Sequence, residues 1–372
     1  MIFRNALVYL GRERGFVKTD IKTNGEIIEA VGKTDESGED CSGRVILPGF
    51  IDIHIHGCNG FDCTDGNPAS AGEMSRYLAS RGVTSFCPAT MTVNEKLLRE
   101  SFAYIAETMG KEEGAYIHGI NMEGPFISPA KKGAQSEKDI RNPDIELFRE
   151  LNGICPVSLA DIAPEMPGAD EFIEKAKEIC TVSAAHTAIG YDEAVRAFDL
   201  GITHVTHLFN AMTQFGSREP GLVGAAFDYK KNEIMCELIC DGIHISPATL
   251  RTAFSILGGR AVVISDAMAA SGLPDGEYSL GGQKVIKQGA ARLPDGTLAG
   301  SSTDLFAEFR NLISFSVPID DALYALTLNP ARSIGADDVT GSITEGKNAD
   351  FIILDEGMEQ IIATIVKGKR VF

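Results

Sequence analysis

No two of the eight cysteines form a CxxC pair, and no spacing among them suits a zinc ribbon, so a thiolate metal cluster and a dithiol redox motif are both excluded. Scattered thiols of this kind read as reduced. No apolar run approaches the ~20 residues that span a bilayer. The stretch from Met1 to Leu10 carries Arg4 and Asn5 without the apolar core of a signal peptide. A cytoplasmic protein that leaves the membrane alone is expected. Positive charge is scarce as well: 34 Lys and Arg stand against 52 Asp and Glu, a formal charge of −18. That balance disfavours nucleic acid and anionic lipid as partners, and an anionic substrate would need a local basic pocket. A Gly-rich phosphate turn of the dinucleotide-binding kind and a short-period repeat are also missing.

What remains is a chain with ordinary globular composition, 44% apolar and 23% charged. Its 372 residues are too many for one small core and fit one large domain with a minor one. The stretches IFRNALVYL through GEIIEAVG and DFIILDEGMEQIIATIVKGKRVF alternate apolar and polar residues between glycine turns, which predicts short antiparallel strands at both ends. Between them, eight apolar runs alternate with amphipathic segments: FIDIHIH, VTSFCPAT, YIHGINMEGPFI, PVSLADIAPE, TVSAAHT, HVTHLFNAM, EIMCELICDGIHI and AVVISDAMA. Segments such as SAGEMSRYLASRG and DEAVRAFDLG have the spacing and terminal glycine of helices. The predicted class is α/β: a (β/α)8 TIM-type barrel over residues 48–334, with a small β-sandwich domain built from residues 1–47 and 335–372.

On a strand, residues two apart share a side, so His54 and His56 in DIHIHG project into one space and can chelate. HxH alone is a modest signal. It sharpens because Glu123, His186, His207 and Asp266 each lie near the end of a different predicted strand, where barrel enzymes assemble their sites. Four imidazoles and a carboxylate suit a divalent cation, zinc or iron(II), with one or two ions per chain. In a two-ion arrangement Glu123 bridges, His54 and His56 complete one shell, and His186 and His207 the other. Asp266, after the buried run VVIS, is the expected proton-transfer group, with a helix N-cap as the plainer reading. His118 and His204 fall on the opposite parity and are expected to be structural. His244, at the end of the seventh run, is placed to meet substrate. Lys131 and Lys132 would lend positive potential to the mouth or lie in a solvated loop.

These residues together resemble the amidohydrolase superfamily, and their surroundings resemble its deacetylases of amino-sugar 6-phosphates. The matching stretches include PGFIDIHIHG, MEGPFISPAKKGAQ, AAHTAIG, THLFNAMTQFGSREPGLVGAA, DGIHISP, ISDAMAASGLPDGEYSLGG, DGTLAGSS and GSITEGKNADFIILD, nearly the whole chain. The resemblance implies release of acetate from the 2-acetamido group of N-acetylglucosamine 6-phosphate, with Asp266 protonating the departing amine. It implies that Asn210, Ala211, Arg218 and His244 hold sugar and phosphate, and that Ala134, Leu298, Ala299 and Gly300 make further substrate contacts. Arg218 suits phosphate physically, since a guanidinium gives two parallel charge-assisted hydrogen bonds. In the family that arginine reaches across a dimer, so a homodimer is implied. Some members lack both HxH histidines; this sequence keeps them, which favours two ions. Either Gln135 or a second ion could polarise the carbonyl. Cys58, close after the HxH pair, is read as a small buried hydrophobe, with a place near the ion as the sharper alternative. Two other enzymatic substrates stay open, the galactosamine epimer and a cyclic amide. A non-catalytic scaffold also stays open, although the intact ligand set speaks against it.

Overall fold

In a computed structural model, which describes residues 1–372, the middle of the chain is α/β, a curled set of parallel strands flanked by helices. Phe50–Ile55 pairs in parallel with Val83–Pro88. Ile120–Glu123, Val157–Ile162, Thr181–Ala184, His204–Val205, Met235–Ile239 and Ala261–Ile264 follow in sequence order in a second parallel sheet. Each strand lies inside one of the apolar runs read from the sequence. Two seams join the sheets. At one, Ala89 and Asn121 form an isolated parallel bridge. At the other, the Asp266 amide donates to His54 O and the His56 amide to Ala267 O, both at 2.9 Å.

Strands such as VTSFCP, MCELI and AVVI are buried at every position. Parallel strands covered on both faces read as continuous apolar runs for this reason. Ile51, Ile53, Leu159, Ile239, Val262 and Ile264 form an apolar cluster of their own among the strands. The larger core packs strands against helices through Phe50, Phe86, Phe102, Phe148, Phe198 and Phe309; burying one such ring is worth roughly 1.5–3 kcal/mol. Helix starts are set by side chains that accept from free N–H groups: Asn94 from Leu97 N, Asp144 from Glu146 N and Leu147 N, Asp304 from Ala307 N. The two segments expected to be helical are Ser70–Ser80 and Tyr191–Leu200.

The third run departs from expectation. It breaks into Tyr116–Ile117, which pairs with Val83–Pro88, and Ile120–Glu123, which pairs with Val157–Ile162. Gly119 makes the break, with φ +146 and Ser158 Oγ only 2.4 Å from where a Cβ would stand. A second departure is a three-stranded antiparallel insertion, Gly276–Leu280, Gln283–Gln288 and Ala290–Arg292. It turns first on Gly281 and Gly282, at φ +54 and +78, as a two-residue hairpin loop requires.

The ends of the chain meet in one mixed sheet. Arg44–Pro48 lies between Ile2–Tyr9, in parallel, and Phe351–Asp355, antiparallel. Its core includes Phe3, Val8, Ile21, Ile46, Phe351 and Ile365, with the Phe3 and Phe351 rings edge-on at 5.1 Å. No helix is long and apolar enough to cross a membrane.

Candidate active site

Where the parallel strands end, six side chains turn toward one point. Glu123 Oε1 lies 3.0 Å from His186 Nε2 and 3.1 Å from His207 Nε2. His54 Nε2 is 3.5 Å from the same oxygen, and His56 Nε2 is 3.4 Å from Glu123 Oε2. Asp266 Oδ1 stands 3.2 Å from His56 Nε2 and 3.8 Å from His54 Nε2. Two sets could each hold an ion, His54 with His56 and Asp266, and Glu123 with His186 and His207. A third set, His54 with Glu123 and Asp161, shares members with both.

The tautomers follow from the outer partners. His54 Nδ1 faces Glu237 Oε2 at 3.0 Å, His56 Nδ1 faces Ala89 O at 3.0 Å, and His186 Nδ1 faces Lys131 O at 2.8 Å. Carbonyl and carboxylate oxygens only accept, so each Nδ1 carries the proton and donates it. A neutral ring then presents its Nε2 lone pair to the centre. Several lone pairs and two carboxylates around one point repel one another unless positive charge lies between them. His54 Nε2, fully buried, has no hydrogen-bond partner. The donor set therefore fits a divalent cation, with outer acceptors that hold the rings in ligating orientation.

Charge preferences agree. Burial opposes a proton on His54, yet Glu237 and Glu123 outweigh it and hold its pKa well above the ordinary imidazole value. His56 is raised in the same way by Asp266 and Glu123 against its burial. Burial also opposes ionisation of Glu123, but His186 and His54 keep its carboxyl well below the usual range. Asp266 is lowered by His56 and His54 despite burial. The pocket demands positive charge, which a proton or a metal ion can satisfy.

The backbone carries strain at this end of the strands. His186, His207 and Asp266 have φ of 44°, 32° and 46°, with Phe209 and Ala211 at 80° and 50°. A left-handed non-glycine residue costs of order 1–3 kcal/mol and persists only when its surroundings over-determine it. Here they do: His186 O accepts from Ser128 N at 3.0 Å, Asp266 O from Ser301 N at 2.6 Å, and His207 N donates to Glu237 Oε2 at 3.1 Å.

Above the cluster opens a cavity of about 190 Å³ whose walls include His56, Glu123, Ala134, Gln135, His186, His207, Asn210, Ala211, His244, Asp266, Leu298 and Gly300. Met91, Gly133, Leu280 and Thr297 complete it. No lysine or arginine lines it. Of the residues expected here, His54 lies buried beneath the wall, and Ala299 is buried and off it. Arg218 is exposed and outside the cavity of its own chain. Gln135 is held from below: its Oε1 accepts from Thr92 N at 2.7 Å and its Nε2 donates one hydrogen to Glu123 Oε2. His244 is held by Asp241 Oδ2 at 2.8 Å. His204 bonds to Ser183 Oγ at 3.1 Å, and neither it nor His118 lines the cavity. Cys58 packs in the main core and is not a wall residue. Lys131 contributes its main-chain carbonyl to His186.

Sequence reasoning passed over the buried acids below the cluster, Asp52, Asp161 and Glu237. The signal was there: each is a carboxylate inside a mostly apolar strand, in FIDIHI, VSLADI and MCELI. Burial pushes Asp52 up to about 7.

The chain belongs to the amidohydrolase family, whose model matches residues 45–371. Among characterised relatives, it is 38% identical over 340 residues to the N-acetylglucosamine-6-phosphate deacetylase of Bacillus subtilis (strain 168), covering 88% of this chain and 85% of the relative. It is 33% identical to the N-acetylgalactosamine-6-phosphate deacetylase of Escherichia coli O157:H7, with 89% of each covered. Among solved structures, it superposes with a TM-score of 0.92 and 27% identity on a variant N-acetyl-D-glucosamine-6-phosphate deacetylase of Mycobacterium smegmatis in complex with N-acetyl-D-glucosamine-6-phosphate. That match covers 100% of this chain and 99% of the other.

Proposed function

We propose that this amidohydrolase removes the acetyl group of N-acetylglucosamine 6-phosphate, giving glucosamine 6-phosphate and acetate. The observation that carries the reading is the convergence of four imidazoles, Glu123 and Asp266 on the floor of a cavity large enough for part of a sugar. The relatives supply the substrate class.

The residues divide the work by position. Glu123 with His186 and His207 would hold one divalent ion, zinc or iron(II), and His54 and His56, sharing Glu123, a second. Such an ion polarises the amide carbonyl and lowers the pKa of water to about 7. Asp266, 3.2 Å from His56 Nε2, stands where it can take a proton from the attacking water and return it to the nitrogen as the C–N bond breaks. Oxygen joins the acetyl carbon, the nitrogen leaves with the proton that Asp266 carried, and the acetic acid formed gives up the water's second proton, leaving acetate and an amine that takes it up as ammonium. Gln135 orients the Glu123 carboxylate with one Nε2 hydrogen, and from the cavity wall its second could meet the substrate carbonyl. Asn210, Ala211 and His244 would hold the sugar, with Ala134, Leu298 and Gly300 shaping the wall and Ala299 backing it. Arg218, exposed and off its own cavity, would serve phosphate in a neighbouring subunit, which accords with a homodimer.

In the finer architecture we read the two seams as closing a (β/α)8 barrel over residues 48–334. We assign residues 1–47 and 335–372 to the small domain and read its one mixed sheet as folding over into a β-sandwich. We place the enzyme in the cytoplasm. The test is acetate release by purified protein reconstituted with zinc or iron(II), on N-acetylglucosamine 6-phosphate and its galactosamine epimer in parallel. Release from the first with higher kcat/KM supports the reading. Absence of release by the metal-replete protein defeats it, and preference for the second transfers it to the epimer.

A further inference from the structure

Glu237 lies in the middle of the strand Met235–Ile239, where an apolar residue would ordinarily stand, and its side chain is wholly buried. Burying a carboxylate costs several kcal/mol unless partners compensate, so its presence requires a reason. One oxygen serves two members of the cluster. Oε2 accepts from His54 Nδ1 at 3.0 Å and from the His207 amide at 3.1 Å. His54 belongs to the set with His56 and Asp266, and His207 to the set with Glu123 and His186. No other carboxylate outside the two sets bonds to a member of each. The other oxygen, Oε1, has no hydrogen-bond partner and lies 3.9 Å from His204 Nδ1.

The two contacts do different things. The first fixes the proton on His54 Nδ1, so that Nε2 carries its lone pair toward the centre. The second pins the amide of a residue whose φ is +32°, a conformation that needs outside support. Charge matters too, because a carboxylate behind an imidazole raises its basicity as a ligand.

We infer that Glu237 is a positioning residue, the acid that holds His54 and His207 in ligating orientation and so links the two ion positions. This rests on the metal-dependent reading of the site, and it adds a residue that touches no substrate. Loss of an outer carboxylate of this kind weakens metal affinity by about 10–100-fold.

The experiment compares wild type, Glu237→Gln and Glu237→Ala, each stripped of metal and titrated with zinc against a competing chelator. Melting temperature and steady-state kinetics at low and saturating zinc accompany the titration. Glu237→Gln keeps an acceptor oxygen and nearly the same volume, so it is expected to fold. It should bind the His54 and His56 ion about 10-fold more weakly. Saturating zinc should restore most of kcat with KM unchanged, whereas a purely structural role would lower the melting temperature without any rescue by zinc. Glu237→Ala, which removes both hydrogen bonds as well as the charge, should bind that ion about 100-fold more weakly. Wild-type zinc affinity in Glu237→Gln, or lost activity that zinc does not rescue, would overturn the inference. Failure of the deacetylase reading would look different: wild type itself would release no acetate, while the ratio of zinc affinities would still judge Glu237.

Discussion

Replacing Asp266 with Asn is the sharpest test of the proton-transfer role, because the structure lets the fold and the chemistry be separated. Asp266 sits at φ +46°, a left-handed conformation that Asn tolerates as well as any residue bearing a side chain. Its amide bond to His54 O and the Ser301 amide bond to its own carbonyl are both main chain and survive the change. The fold should therefore hold. The side chain keeps an oxygen for whatever it touches but can no longer gain and release a proton. General acid–base catalysis contributes about 10²–10⁴-fold, or roughly 3–5 kcal/mol of barrier. We expect the upper part of that range, because the other carboxylate at the floor, Glu123, is committed to His186, His207 and Gln135 and is poorly placed to substitute. The assay is kcat for acetate release at saturating substrate, with zinc content measured on the same preparation. A variant within tenfold of wild type would refute the role. A variant that has lost its zinc would recast Asp266 as a ligand.

Three other outcomes are expected. Stripping the metal should lower the melting temperature: a ligand at 100 times its Kd contributes about 2.7 kcal/mol, which for 372 residues is roughly 3 °C by calorimetry. Arg218→Ala should raise KM for the phosphorylated sugar by about 10–100-fold, the worth of charge-assisted hydrogen bonds, while leaving turnover of the unphosphorylated sugar unchanged. Asp20 accepts from Asn5 N at 2.7 Å, Thr34 N at 2.9 Å and Lys33 Nζ at 3.1 Å, and these donors lower its pKa despite burial. Because the folded value is depressed, its stabilisation is complete above the unfolded value of 3.8 and is lost as pH falls through the folded one. Asp20→Asn should cost about 1–3 kcal/mol at pH 7 in chemical denaturation and flatten the stability profile below pH 4. An unchanged acid limb would remove Asp20 from the account.

How much of this was written in the sequence depends on the range of the interaction concerned. Alternation along a strand is local, so the pairing of His54 with His56 and the placing of Glu123, His186, His207 and Asp266 at strand ends could be read directly. Apolar runs broken by capped helices and glycines gave the α/β class, because burial on both faces leaves a continuous apolar pattern. The Gly119 break was less visible: a glycine inside a run reads equally as a tight approach or a bend, and Ser158 from the next strand decides which.

The remaining features were decided only by the tertiary structure, since each depends on partners far apart in the chain. Glu237 reads as an oddity in an apolar strand until His54, 183 residues away, is seen to donate to it. The protons on His54, His56 and His186 are assigned by acceptors on other strands and loops. Arg218 carries its charge in the sequence, but only the folded chain leaves it outside its own cavity. The sequence determined which side chains could carry the chemistry, through periodicities that act within a few residues. The tertiary fold determined which of them meet and in what protonation state, because electrostatics acts through space without regard to separation along the chain.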